Sequence, residues 1–212
     1  MTPVKPQIAV VHLDESCLGN GREGNNPGGA GALIEIRHPV GGPVVRRDLW
    51  ISSPATTNNR MALSGAIAVL QLLARKERRL KVLLVSDSEY LVRGIREWVP
   101  SWKARGWKRK SGPIENLELW QALVQSTALH DAQFTWVRGH AGNVKNEYAN
   151  DLAIKAATEL TMSEGIVESG FEAWLKEAQA RSRYLDATPD RAFAAMETRL
   201  AGGELFPLDD AA

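Results

Sequence analysis

The sequence of 212 residues predicts a mixed α/β fold, in which helices flank a single five-stranded sheet. Three strand-like segments come first, and no helical pattern separates them, which favours antiparallel neighbours. Helical and strand-like segments then alternate, which is typical of crossover connections between parallel strands. The two patterns together indicate a sheet with both antiparallel and parallel strand pairs.

Five segments of the chain are predicted to be strands. The first, from Ile8 to Leu13, is almost unbroken in its apolar character, which predicts a central strand covered on both faces. A Pro- and Gly-rich segment between the second and third strands predicts a turn. The five strands are expected at 8–13, 32–36, 44–51, 81–85 and 133–137.

Helical spacing of apolar residues predicts a first helix from Asn58 to Ala74, and either Thr57 or Asn58 can cap its amino terminus. Another helix is expected to begin at Asp87 and run to Arg96. Two more are expected at 114–129 and 146–160.

The charge distribution divides the chain. Residues 1–158 contain 21 Lys and Arg against 14 Asp and Glu, whereas residues 159–212 contain 5 against 11. A body with a net charge of +7 suits a polyanionic partner, and a tail with a net charge of −6 does not. We therefore predict a domain at 1–160 and an acidic helical extension at 161–212.

The extension is expected to form two amphipathic helices. Phe171, Trp174 and Leu175 share a helical face, and Thr188 with Pro189 is a suitable start for a second helix. Packing of these helices on the core, binding of a protein partner, and disorder are the three alternatives.

Composition excludes several protein classes. The chain is 44% apolar, but no apolar run approaches the ~20 residues of a membrane helix, and the amino terminus lacks the apolar stretch of a signal peptide. Cys17 is the only cysteine, so no internal disulfide can form, which suits a reducing cytoplasm. A cytoplasmic monomer is the expectation.

Four short segments carry the most specific signal, and they span 12–20, 56–63, 85–90 and 137–153. In this order and spacing they resemble type 1 ribonuclease H, the metal-dependent nuclease that cuts RNA paired to DNA. The resemblance runs from about residue 7 to residue 158. It implies a ribonuclease H-like fold with strand order 3-2-1-4-5, which periodicity alone does not provide.

The resemblance implies a metal site at Asp14, Asp87 and Asn150, filled by Mg²⁺ or Mn²⁺. An Asp that ends an apolar strand, as Asp14 does, is otherwise costly to bury. Asp87 alone would also suit a helix N-cap. In the implied strand order both carboxylates converge at one sheet edge, where clustered oxygen ligands suit hard divalent ions.

Two positions depart from the family pattern: Ala62 stands where the family has Glu, and Asn150 stands where it has Asp. Alanine cannot ligate a metal, so weaker metal binding is expected. Glu15 is a candidate substitute for the missing Glu. Because adjacent strand residues point to opposite faces, however, Glu15 is expected to turn away from the site. His140 resembles the family's loop histidine, which is associated with proton transfer or product release.

Further positions match the family's contacts to a hybrid duplex. Neutral amides suit groove edges, where the 2′-OH distinguishes RNA from DNA. A basic, Trp-rich segment at 98–110 resembles the family's substrate-binding handle, although tryptophans in such a segment, taken alone, are more often local core than ligand contacts. The predicted substrate-binding residues are Cys17, Asn20, Thr57, Asn58, Asn59, Glu89, Trp98, Trp102, Lys103, Arg105, Trp107, Lys108 and Arg109.

The leading functional prediction is metal-dependent endonucleolytic hydrolysis of the RNA strand of RNA–DNA hybrids, which leaves 5′-phosphates. The alternative is a catalytically silent hybrid-binding protein, because of Ala62 and Asn150. A third hypothesis is an interaction scaffold that recruits a protein partner through 161–212.

Overall fold

The structure, a computed structural model of the chain, describes residues 7–19, 26–37, 42–75, 79–139 and 141–209. Six strands in these ranges form one sheet, in the order β5-β4-β1-β2-β3-β6. Their bounds are β1 Ile8–Cys17, β2 Gly28–Arg37, β3 Val44–Ser53, β4 Lys81–Ser86, β5 Asp131–Trp136 and β6 Val167–Glu168.

The five long strands have the expected order. Strands β1, β2 and β3 are antiparallel neighbours, and β4 and β5 run parallel to β1. The order 3-2-1-4-5 is therefore confirmed. Strand β6 was not predicted: it pairs through two residues with Arg47 and Asp48 at the free edge of β3, and two residues are too few to give a periodic signal.

Seven α-helices are present in the described ranges. Helix α1 spans the predicted residues, and Thr57 caps it by accepting a hydrogen bond from the Arg60 amide at 3.3 Å. A π-helical turn, Gly94–Trp98, interrupts the helical segment predicted after Asp87. No helix among the described residues is long and apolar enough to cross a membrane. The helices are α1 Asn58–Ala74, α2 Glu89–Arg93, α3 Val99–Ala104, α4 Leu117–Thr127, α5 Val144–Glu159, α6 Phe171–Ala180 and α7 Pro189–Ala201.

Apolar side chains fill both faces of the sheet. On one face, alternate β1 residues such as Val11 and Leu13 join a core that includes residues of α1 and α4. On the other face, Val10 belongs to a cluster with Phe193 and Leu200 of α7. The two helices predicted in the extension are thus present as α6 and α7, and they pack on the core.

Helix α5 lies very close to β2. A Cβ atom on Gly31 would stand 2.4 Å from the carbonyl oxygen of Ala149, so no larger residue fits there. This close approach places the first turn of α5 beside the end of β1, where the candidate site lies.

Candidate active site

Two acidic residues meet where the central parallel strands end. Asp14 lies near the end of β1, and Asp87 directly follows β4, whose last pair with β1 is Leu13 with Ser86. Carboxylate oxygens of Asp14, Glu15 and Asp87 all lie within 4.8 Å of one another. The predicted convergence of Asp14 and Asp87 is therefore present, and a third carboxylate joins them.

The expectation that Glu15 turns away from this site was wrong. Glu15 lies beyond the last β1–β4 pair, so no β4 residue stands beside it, and its side chain can reach around the sheet edge. A hydrogen bond with Ser88 holds the carboxylate there. Strand alternation gives the direction of the Cα–Cβ bond, but it does not fix the position of a flexible terminal carboxylate.

Asp14 is held by two hydrogen bonds. Its Oδ1 accepts from the Glu15 backbone amide at 2.7 Å, and its Oδ2 accepts from Nδ2 of Asn146 at 2.9 Å. Asn146 is almost fully buried in the first turn of α5. Sequence reasoning missed this residue, although its place one helical turn before Asn150, on the same side of α5, was an available signal.

The strand end that carries Asp87 is fixed by β5 and the residues that follow it. Trp136 donates its indole N–H to the Asp87 carbonyl oxygen at 2.9 Å, and the Val137 amide donates to Ser86 at 3.1 Å. Gly139 approaches the carboxylate so closely that a Cβ atom there would stand 2.4 Å from Oδ2 of Asp87. Gly139 therefore leaves the space that the Asp87 carboxylate occupies.

Crowding makes the cluster hard to ionise. Burial and the neighbouring Asp87 charge raise the pKa of Asp14 well above its ordinary value. Burial and the Asp14 charge raise the pKa of Glu15 to about 8. Two like charges about 5 Å apart repel by roughly 3 kcal/mol at an effective dielectric constant of about 20. Full ionisation of the cluster therefore requires a compensating positive charge.

The donor set fits a hard divalent cation. Oε2 of Glu15 is buried and has no hydrogen-bond partner among the described residues. Such an atom is costly to bury unless something binds it. Carboxylate oxygens are the ligands that Mg²⁺ and Mn²⁺ prefer in proteins, so the cluster has the chemistry of a metal site.

Two of the other predicted catalytic positions, Ala62 and Asn150, lie in the described part of the chain. Ala62 has no exposed surface and belongs to the apolar core. Asn150 is half-buried on α5, one turn after Asn146. His140 and the predicted groove residue Asn20 lie outside the described residues.

The predicted groove residues lie at the same end of the sheet. Asn58 and Asn59 open α1 and are half-buried, and Oδ1 of Asn58 has no hydrogen-bond partner in the described part of the chain. Cys17 is half-buried near the end of β1, with its thiol 3.5 Å from the Thr56 carbonyl oxygen. Glu89 is exposed and forms an ion pair with Arg93 at 3.5 Å.

The basic handle comprises the π-helical turn, α3 and the residues up to 110. The ring of Trp98 lies 5.7 Å from that of Tyr90, and the ring of Trp102 lies 5.8 Å from that of Trp120. Trp98, Trp102 and Trp107 are half-buried and pack against the core, in agreement with the local-core alternative. The four predicted cationic contacts, Lys103, Arg105, Lys108 and Arg109, are all exposed.

Comparison with known proteins agrees with this geometry. The RNase H family model matches residues 6–158. Ribonuclease H of Pseudomonas paraeruginosa is 46% identical over 158 residues, which cover 74% of this chain and 97% of that protein. Ribonuclease HI of Pseudomonas aeruginosa is 45% identical over 158 residues, with the same coverage of both chains.

A solved structure is also similar. LC9-RNase H1, described as a type 1 RNase H with the type 2 active-site motif, is 53% identical and superposes with a TM-score of 0.76 over 82% of each chain. A family match over most of the chain thus coincides with the fold and with an acidic cluster at the end of the central strands. This chain belongs to the ribonuclease H family.

Proposed function

We propose that this chain is an active ribonuclease H in which Glu15 takes the place of the carboxylate missing at Ala62. The observation that carries the proposal is the approach of Asp14, Glu15 and Asp87 to within 4.8 Å of one another. The site then holds three carboxylates instead of the two that the family positions retain, and Asn150 adds a neutral oxygen.

The proposed division of labour follows from the contacts. Asp14, Glu15 and Asp87 would hold divalent ions, Mg²⁺ or Mn²⁺, and Asn150 would contribute its amide oxygen. Such ions, when bound, can activate water and stabilise the leaving oxygen in phosphodiester hydrolysis. Asn146 orients Asp14 through its 2.9 Å hydrogen bond. His140 is proposed to carry protons between the site and solvent.

In the proposed recognition of the substrate, neutral amides contact the groove of the duplex and cationic side chains contact its phosphates. Asn20, Asn58 and Asn59, with Thr57, would contact the hybrid near its groove and backbone, because amides can read the 2′-OH of RNA. The exposed cations of the handle would neutralise phosphates. The substrate is then an RNA–DNA hybrid, cut within its RNA strand to leave 5′-phosphates.

The remaining expectations stand as proposals: a cytoplasmic monomer, and a division into a domain at 1–160 and an extension at 161–212. A protein partner for the extension is also proposed, but α6 and α7 already bury Phe171 and Phe193 against the core. Such a partner would therefore contact the outer surface of these helices.

The deciding experiment is hybrid cleavage with Mg²⁺ or Mn²⁺ by four proteins: the wild type, Glu15→Gln, Ala62→Glu and Asp14→Asn. Glu15→Gln keeps the size of the side chain but removes its charge, so we expect the cleavage rate to fall by about 100-fold or more. Ala62→Glu should not raise the rate, because it buries a further carboxylate in an apolar core.

Circular dichroism of each variant provides the control for folding, and binding of an uncut hybrid with chelator present provides the control for the groove. If Ala62→Glu raises cleavage about 100-fold while Glu15→Gln has no effect, Glu15 is not the substitute carboxylate. If the wild type binds hybrid but never cleaves it, the catalytically silent alternative is correct.

A further inference from the structure

A buried group of charges lies beneath the sheet face that α5 and the extension cover. Glu35 of β2 has no exposed surface, and it accepts from Nζ of Lys145 at 2.6 Å and from Nε of Arg46 at 3.0 Å. Arg46 stands directly opposite Glu35 in the β2–β3 register. Burial alone would raise the pKa of Glu35, but His12, whose Nε2 lies 3.5 Å from the carboxylate, and the Lys145 charge lower it to about 2. The group is therefore ionic.

The extension completes this group. Arg46 donates from Nη1 to Glu172 of α6 at 2.9 Å and from Nη2 to Asp190 of α7 at 2.5 Å. The guanidinium also lies over the ring of Phe171, 5.2 Å from its centre. Arg46 and Lys145 bring two positive charges to the single negative charge of Glu35, so the core part alone carries an excess positive charge. The two carboxylates of the extension offset this excess and bring the whole group to a net charge of −1.

The same group contacts the first turn of α5 through Lys145. Lys145 is the second residue of that helix, where the helix dipole disfavours a cation, so its position depends on Glu35. The next residue, Asn146, donates the hydrogen bond to Asp14 at 2.9 Å. A continuous series of contacts thus runs from the extension to the site: Glu172 and Asp190, Arg46, Glu35, Lys145, Asn146 and Asp14.

We propose that the carboxy-terminal extension is a positioning element for the active site, which acts through Arg46, Glu35 and Lys145 to hold Asn146 against Asp14. Glu172 and Asp190 are positioning residues in this proposal, because neither touches the metal site. The inference rests on the proposed metal site at Asp14. The inference goes beyond the proposed function because it assigns a role in catalysis to residues outside the family match.

If the extension only stabilised the fold, loss of any ion pair between it and the core would have the same effect on the active site. The chain offers a matched control for this alternative. Arg37 of β2 donates to Glu197 of α7 at 2.8 Å, with both side chains about three-quarters buried. This pair also ties α7 to the core, but its cation lies at the opposite end of β2 from the active site. In the described ranges Arg37 donates to Glu197 and to the Gly42 carbonyl oxygen rather than to α5. Glu197→Gln therefore removes a comparable ion pair without reaching Asn146.

The experiment compares the wild type, Glu172→Gln/Asp190→Asn, Glu197→Gln and Asp14→Asn as full chains. Calorimetry measures Mn²⁺ affinity without substrate, NMR follows the side-chain amide signal of Asn146, and hybrid cleavage gives kcat and KM. We expect the double variant to lose about tenfold in Mn²⁺ affinity and in kcat, with KM nearly unchanged and the Asn146 signal shifted. Glu197→Gln should lower only the melting temperature.

The side chains of Glu172 and Asp190 are more than half exposed, so the double variant should fold. If it does not fold, the single variant Glu172→Gln is used in its place. A variant Glu172→Asp/Asp190→Glu keeps both charges, and Mn²⁺ affinity and kcat near those of the wild type in this variant would support the proposal. Unchanged Mn²⁺ affinity and kcat in the double variant, or equal losses in Glu197→Gln, would overturn it. If Asp14→Asn binds Mn²⁺ as the wild type does, Asp14 is not a metal ligand. That result would contradict the proposed function, whereas the results named above would contradict only the positioning role of the extension.

Discussion

The side-chain amide of Asn146 donates a hydrogen bond to the carboxylate of Asp14 at 2.9 Å, across 132 positions of sequence. Both side chains are buried, and among the described residues the other hydrogen bond to the Asp14 carboxylate comes from the neighbouring backbone amide. Oδ1 of Asn146 is buried without a hydrogen-bond partner in the described ranges. The amide therefore orients a carboxylate of the proposed metal site.

Replacement of this amide should impair metal binding. We expect Asn146→Ala to lower metal affinity and kcat by about 10- to 100-fold, the usual effect of removing a group that orients a ligand. Asn146→Asp should be worse, because a charge would face Asp14. Calorimetry with Mn²⁺ and single-turnover cleavage measure both effects. An Asn146→Ala variant that binds and cleaves like the wild type would show that Asp14 needs no such support.

A methyl group at Gly139 should displace the Asp87 carboxylate. The Cβ atom of Gly139→Ala would lie 2.4 Å from Oδ2 and 3.3 Å from Cγ of Asp87, so the whole carboxylate must move. A displacement of this size can cost about 100-fold in rate, and we expect a loss of 10- to 100-fold in kcat. Gly202→Ala, whose added atom would have only ordinary contacts at 3.5 Å, is the control.

The stability of the metal-free protein should fall as the pH rises. Because the pKa of Asp14 is raised and that of Glu15 is about 8, the folded state keeps protons that the unfolded chain releases near its ordinary pKa of about 4. Their contribution to stability is fully present below about pH 4 and is lost as the pH rises through about 8. Urea unfolding with chelator measures this, and Asp14→Asn/Glu15→Gln should have a flatter profile over the same interval.

Added metal should reverse this dependence. An ion must displace the protons of Asp14 and Glu15, so its affinity should increase by up to about tenfold per pH unit for each proton displaced. Calorimetry in two buffers of different ionisation enthalpy counts the protons released. Metal affinity that is constant between pH 6 and pH 8 would contradict the raised pKa values.

The handle cations should control the salt dependence of hybrid binding. Replacement of Lys103, Arg105, Lys108 and Arg109 by Ala removes up to four phosphate contacts, so the slope of log K against log salt should flatten by up to about 4. The exposed extension residues Arg181 and Arg191 provide the control, and their replacement should leave the slope unchanged. If the two sets change the slope equally, the handle is not a specific contact surface.

The sequence by itself determined the fold class, the strand order once the family resemblance was recognised, and the place of Asp14 and Asp87. These follow from local signals: apolar periodicity identifies strands and helices, and the parallel pairing of β1 with β4 brings their ends together. The bounds of α1 were predictable for the same reason, and the sequence limited its cap to Thr57 or Asn58, of which the structure uses Thr57.

Only the tertiary structure decided how the site is completed. The carboxylate of Glu15 reaches Asp87 because β4 ends before Glu15, and no periodic pattern records where a neighbouring strand ends. Asn146 meets Asp14, and Glu172 and Asp190 meet Arg46, because α5, α6 and α7 pack on the same face of the sheet. Such contacts join residues more than 100 positions apart, so they depend on packing, which local sequence patterns do not specify.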